Sequence, residues 1–266
     1  MCRVTRVAEI TVKSLKGPLL QPANLHYDLQ GTLKNLSLTA TTLPGPLNIE
    51  TGQVNIVPDK ITFENLQGDL LDSSITYSGV IQNFIDGKTN DHFIITDAII
   101  GKELNTWFAQ EISTPREYIS RTPLLISRST IKWTRKELLD LQGDFSIKNG
   151  PIFTVDLMLN QDEFILRNLS LKNDTEQATI KLNLKKRAIG AEFHGSLTKN
   201  TIDKILLHND IFPDAWIKGD INFNIDMDSP ATSNAVGTLD GGNFIFPWKP
   251  DKPILLDSFS LSATDK

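Results

Sequence analysis

Ala215-Trp-Ile-Lys-Gly-Asp-Ile-Asn-Phe-Asn-Ile-Asp-Met227 places an apolar residue or glycine at every odd position and, beyond Trp216, a polar residue at every even one. Period-two alternation of this kind marks a β-strand with one face against apolar material and the other in water. At about 3.4 Å per residue the run extends roughly 40 Å, against the about 5–6 residues of an ordinary strand. The same alternation recurs in Phe153, Val155, Leu157 and Leu159, in Ile180, Leu182 and Leu184, and in Ile189, Ala191, Phe193 and Leu197. Between these positions stand mostly Thr, Lys, Asp, Asn, Glu and His. Such a chain presents one large apolar sheet surface, and what covers it is the functional question.

The 266 residues and 39% apolar content suffice for one large all-β domain or two ordinary ones. A net charge of −5 and a pI near 5.4, with Lys and Arg scattered, exclude a nucleic-acid-binding surface. The longest basic run, Lys185-Lys186-Arg187, reads as a solvated turn between two strands. The single cysteine, Cys2, excludes an internal disulfide. No stretch reaches the roughly 18–20 apolar residues of a membrane span, and the N-terminus lacks the apolar core of a signal peptide. The sequence stops just after the apolar phase Ile254, Leu256, Phe259 and Leu261, which reads as a fragment of a longer protein.

Residues 1–100 read as a first β-meander. Leu36-Ser-Leu-Thr-Ala40 is followed by turn chemistry at Leu43-Pro-Gly-Pro46, and further short strands are expected between punctuation at Thr51-Gly52, Pro58-Asp59, Glu64-Asn65, Gly68, Asp72 and Gly79. Residues 101–122 read as a helical connector. Leu104, Trp107, Phe108 and Ile112 fall at helical spacing, so Lys102 to Glu111 is expected to be a helix. Thr114-Pro-Arg-Glu117 then offers a capping box for a short second helix. Residues 123–266 resume the meander as a continuation of the same sheet, interrupted by a brief helix from Thr201 to His208. Thr32–Leu38, Phe164–Leu171 and Leu256–Leu261 echo one another, as if a strand-rich unit were repeated. The fold expected is mainly all-β: long antiparallel meander sheets curled into an open apolar trough, with two or three short connecting helices.

Catalytic constellations are thin. His26, His92, His194 and His208 are dispersed at spacings that pair none of them locally with another metal ligand, and His194 lies on the polar phase of a strand. Neither a Gly-X-Ser-X-Gly elbow, a phosphate loop nor a dinucleotide fingerprint occurs. The carboxylate pairs Asp226 with Asp228 and Asp72 with Asp97 nominate no glycosidase on their own. Asp226-Met-Asp-Ser-Pro230 reads as a Pro-terminated turn before it reads as a calcium site, and Asp240-Gly-Gly-Asn243 likewise as a turn. Trp216, on the polar phase, and Trp248, in Phe246-Pro-Trp-Lys-Pro250, are the mildest hint of ligand contact. No enzyme activity, metal or cofactor is expected.

Three passages carry a family resemblance: Pro44 to Gly79, Arg121-Thr-Pro-Leu-Leu-Ile126 leading to Ile131-Lys-Trp133, and Ala235 to Trp248 with Pro253 to Leu261 behind it. In turns and alternation they resemble the C-terminal β-rich region of the AsmA-like proteins of Gram-negative bacteria, which are similar to the bridge-like lipid-transfer proteins. The resemblance implies a periplasmic chain, anchored in the inner membrane through a helix not present in this sequence, whose apolar trough carries phospholipid toward the outer membrane.

A one-faced sheet that is not covered by a second sheet leaves more apolar surface open than a soluble protein keeps without a ligand or partner, and acyl chains would fill it without hydrogen bonds. The reading is therefore a non-enzymatic lipid-handling segment serving transport and envelope integrity. Val155, Leu157, Ile180, Leu182, Ala191, Phe193, Ile217, Ile221, Phe223 and Ile225 would line the groove. Its partners would be phospholipid or another acyl-chain lipid, with envelope proteins of the inner or outer membrane. The alternative is a structural or assembly factor that pairs its sheet edges with outer-membrane proteins.

Overall fold

The structure is a computed structural model describing residues 3–5, 9–16, 26–39, 43–83, 89–134, 137–209, 214–246 and 254–264. The alternating segments form β1 (Arg3–Thr5), β2 (Glu9–Lys16), β3 (His26–Thr39), β4 (Leu47–Val57), β5 (Lys60–Leu70), β6 (Ser73–Gln82) and β7 (Asn90–Ile100). Helix α1 (Lys102–Glu111) follows, then a single 3-10 turn at Arg116–Tyr118. Next come β8 (Leu124–Thr134), β9 (Leu138–Ile147), β10 (Ile152–Asn160), β11 (Glu163–Lys172), β12 (Gln177–Lys185) and β13 (Ala188–Thr198). Helix α2 (Lys199–Ile205) separates β13 from β14 (Trp216–Asp226), β15 (Asn234–Phe246) and β16 (Ile254–Thr264).

Apart from β2, which also pairs with β3, hydrogen-bonded order is chain order, and the order does not return from β16 to β1. Pairings from β3 to β7 and from β10 to β16 are antiparallel. The all-β antiparallel meander expected from the alternation is therefore the fold. By proximity the chain divides into two compact units, Met1–Phe108 with Leu125–Leu139, and Ala109–Leu124 with Asp140–Lys266.

Several expected turns lie inside strands. Thr51-Gly52 belongs to β4, Glu64-Asn65 and Gly68 to β5, and Gly79 to β6. Glycine serves close approach at these positions rather than chain reversal. A Cβ on Gly68 would stand 2.3 Å from the Asn48 carbonyl oxygen, and one on Gly79 2.5 Å from the Phe93 ring. Asn65 adopts φ 47° where the β5–β6 register shifts, and Asn35 adopts φ 50° in β3. Asn65 inserts an extra residue into β5, whereas across Asn35 the register with β4 is unbroken while Leu33 and Leu36 both join one core despite their odd spacing.

The helices follow suit. Leu104 and Ala109 are buried on α1, whose first turn is capped by Asp72: its carboxylate accepts from the backbone N–H of Glu103 at 2.9 Å and of Leu104 at 3.2 Å. Desolvation raises the Asp72 pKa, but these bonds and that from Ser73 outweigh it and hold the carboxyl below its ordinary value. The capping box expected at Thr114 does not form. Pro115, which has no hydroxyl, is the N-cap of the 3-10 turn, and the Thr114 N–H is taken by the Ala109 carbonyl at 2.7 Å. Helix α2 begins two residues before the expected Thr201 and ends at Ile205, because Leu206 turns extended and bridges Ser120.

Candidate functional site

The second unit carries an apolar face built by register. Successive cross-strand rows run Leu159, Phe164, Leu184, Ile189, Ile225; then Leu157, Leu166, Leu182, Ala191, Phe223, Ala235; then Val155, Leu169, Ile180, Phe193, Ile221, Gly237; and then Phe153, Leu171, Ala178, Gly195, Gly219, Leu239. A further row holds Leu197, Ile217 and Gly241. In an antiparallel pair, residues opposite each other share a face, so every groove residue expected from the sequence lies on this one surface. The sequence reading missed the contributions of β11. There the register slips between Leu166 and Leu169, so Phe164, Leu166, Leu169 and Leu171 do not keep a strict period of two.

Exposure along the face is graded. On β12 it rises from buried Ala178 to exposed Leu184, and on β13 it falls from half-buried Ile189 to buried Leu197. On β14, Ile221 is 6% exposed and Ile225 43%, and Met227 just past it 52%. The stack of rows is therefore closed at the strand ends beside α2 and open to solvent at the opposite strand ends. The closed end is where α2 leaves β13, and a polar network ties it together. The Glu176 carboxylate accepts from the Thr198 N–H at 3.2 Å, from the Thr198 hydroxyl at 2.5 Å and from the Thr201 hydroxyl. Asn173 Nδ2 donates to Thr201 Oγ1 at 2.6 Å, and Asn173 Oδ1 accepts from the Glu176 N–H at 2.7 Å. Desolvation pushes the Glu176 pKa up, yet the hydroxyl and backbone hydrogen bonds, with Lys204 nearby, bring it below the ordinary value. Arg121 Nε donates to the Asp203 carbonyl and the Leu207 N–H to that of Ile119, docking residues 119–121 beside α2.

The first unit has an apolar face of its own. Leu33, Leu36, Ile49, Val54 and Leu66 form its buried core, with Leu38, Leu47, Ile56, Ile61, Phe63 and Tyr77 packed against it. Phe63, Tyr77 and Phe93 meet in sequence at 6.3 and 5.9 Å. Burial pushes the Tyr77 phenol up to about 12. One row runs Leu29, Ile56, Ile61, Ile81 and ends on Asp91. Asp91 Oδ1 is inaccessible and lacks a hydrogen-bond partner, and desolvation pushes the carboxyl up to about 6 against the opposing effect of a hydrogen bond with Thr89.

The remaining candidates resolve as architecture. Asp226 Oδ1 accepts the N–H groups of Asp228 at 2.8 Å and Ser229 at 3.1 Å, an Asx turn closing β14. His194 meets Asp220 at 2.9 Å on the polar face, both largely in solvent. Lys186 and Arg187 make the turn between β12 and β13. Asp240-Gly-Gly-Asn243, expected as a turn, lies instead within β15: a Cβ on Gly241 would stand 2.4 Å from the Phe259 ring and one on Gly242 2.8 Å from Trp216 Nε1. The glycines are seats for aromatic rings from neighbouring strands, and Trp216 rests against Gly242 while staying 41% exposed. Cys2 and Trp248 lie outside the described residues. Among the described residues no group of three or more His, Cys, Asp or Glu is placed to share a metal ion, and no helix is long and apolar enough to cross a membrane.

Comparison with models of known families, with curated proteins and with solved structures finds no match to this chain.

Proposed function

We propose that the apolar face of the second unit binds the acyl chains of lipids, and that the chain is a non-enzymatic lipid-handling segment of a Gram-negative envelope, acting in the periplasm between inner and outer membranes. The observation that carries the reading is the graded face itself. Five registered rows within β10 to β15, three of them spanning all six strands, hold only apolar residues and glycine, and the exposed strand ends keep Leu184, Ile225 and, just past β14, Met227 in solvent. Exposed apolar surface that is contiguous across several strands marks a ligand or partner site. Acyl chains suit it because they need area and no hydrogen-bond donors, and each buried methylene contributes about 0.8 kcal/mol. The resemblance of the sequence to AsmA-like proteins supports the same reading.

Native mass spectrometry with lipid extraction, on the chain purified from a Gram-negative host, tests it. Phospholipid that survives gel filtration is the expected result, and a lipid-free mass with a cooperative melt refutes it. Phe223 lies in register between Ala191 and Ala235, so it is the large side chain of a locally shallow row. Phe223→Asp places a carboxylate where the acyl chain would lie and is expected to abolish co-purification while the circular dichroism of the sheet persists.

A further inference from the structure

Resting on that reading, we infer that the exposed strand ends of the stacked rows are the headgroup end, and that they select a zwitterionic phosphate–ammonium headgroup through Lys186 and Asp162. A lipid whose tails run along the strands, crossing successive rows, must leave its headgroup at one set of strand ends or the other. The α2 end is closed to it, because Glu176, Thr198 and Thr201 spend their hydrogen bonds on one another and leaving a charged headgroup among them costs its hydration. The opposite end opens to solvent at Leu184, Ile225 and Met227.

The charges at that end are mostly matched. Lys185 pairs with Glu163 at 3.6 Å, Arg187 pairs with Asp228, and Asp226 is held by backbone N–H groups. Two charges are left without a partner among the described residues, the ammonium of Lys186 and the carboxylate of Asp162. They sit at the adjoining ends of neighbouring strands, each one residue beyond the registered pair Glu163 with Lys185. One spare cation beside one spare anion complements a headgroup that carries a phosphate and an ammonium together. A purely anionic headgroup would meet the Asp162 carboxylate, and an uncharged one would use neither group.

The test compares uptake of phosphatidylethanolamine, phosphatidylglycerol and diacylglycerol of identical chains by the delipidated full chain, read by native mass spectrometry. The wild type is expected to retain phosphatidylethanolamine about threefold better than either of the others, the scale of exposed ion pairs. Asp162→Asn is expected to raise phosphatidylglycerol to the level of phosphatidylethanolamine, and Lys186→Gln to lower both to that of diacylglycerol, with diacylglycerol itself unchanged. Equal retention of the three lipids by the wild type, or preferences that neither substitution moves, overturns the headgroup assignment while leaving acyl binding intact. Failure to retain any of the lipids overturns the lipid reading itself. Glycerophosphoethanolamine, which has the headgroup and no tails, serves as the free-ligand arm: saturation by it at the affinity of the lipid overturns the placement of tails on the rows.

Discussion

Replacing Asp91 by Asn should stabilise the first unit at neutral pH and flatten its dependence on acidity. Asp91 ends an otherwise aliphatic row, Leu29, Ile56, Ile61 and Ile81, with one carboxylate oxygen desolvated and without a partner. Its folded pKa of about 6, against an ordinary 3.8, means that the folded state holds the proton more tightly than the unfolded chain does. The protonated acid is therefore the form that folding favours. Its contribution is fully present below 3.8 and is lost as the pH rises to about 6, beyond which the ionised carboxylate costs a constant amount. At about 1.36 kcal/mol per pH unit that amount is at most about 3 kcal/mol, and solvent screening of a half-buried group reduces it to about 1 kcal/mol. Asn keeps the acceptor that faces Thr89 and removes the charge. Urea unfolding followed by circular dichroism from pH 4 to pH 7.5 is the assay, taking wild type minus variant so that Asp72, Glu176 and Asp203, whose lowered pKa values give the opposite trend, cancel. The variant should gain about 1 kcal/mol at pH 7.5 and progressively less toward pH 4. A difference that stays flat with pH, or that grows on acidification, refutes the reasoning.

Leu66, fully buried at the centre of the first unit's core, should cost about 2–5 kcal/mol when cut to Ala, while Ile61→Ala on the half-buried margin should cost visibly less in the same unfolding assay. Gly237 has φ +116°, and a Cβ there would stand 2.0 Å from the Asp220 carbonyl oxygen, so Gly237→Ala should cost about 2–4 kcal/mol. Gly190→Ala, whose Cβ would meet nothing nearer than 3.6 Å, should move the melting midpoint little and serves as its control.

Much of this was legible in the alternation. In β10, β12, β13 and β14 the strands begin and end within about three residues of the period-two runs, because a one-residue slip would turn every apolar side chain to water and the register is held accordingly. The expected groove residues share a face for the same reason. What the alternation hid were departures from it. Asn35 and Asn65 reset the phase of β3 and β5 by adopting positive φ, and the glycines of β4, β5, β6 and β15 look like chain reversals when they are spaces for a neighbour's backbone or ring. Neither signal is local: a glycine under Phe259 differs from a turn glycine only in what lies on the next strand. Asp91 was equally hidden, since its neighbour His92 sits on the polar face and nothing nearby in the chain announces that the acid points the other way.

The linear strand order has a consequence for how such a chain forms and changes. Because nearly every strand pairs with the strands just before and after it, structure can propagate hairpin by hairpin during synthesis, with no wait for distant segments to meet. A hairpin pair could be inserted or deleted between two existing strands while each surviving neighbour keeps its register and its apolar side. Length is then a variable independent of chemistry. An arrangement of this kind can be extended to match a distance, and the rows that result are repeated rather than redesigned.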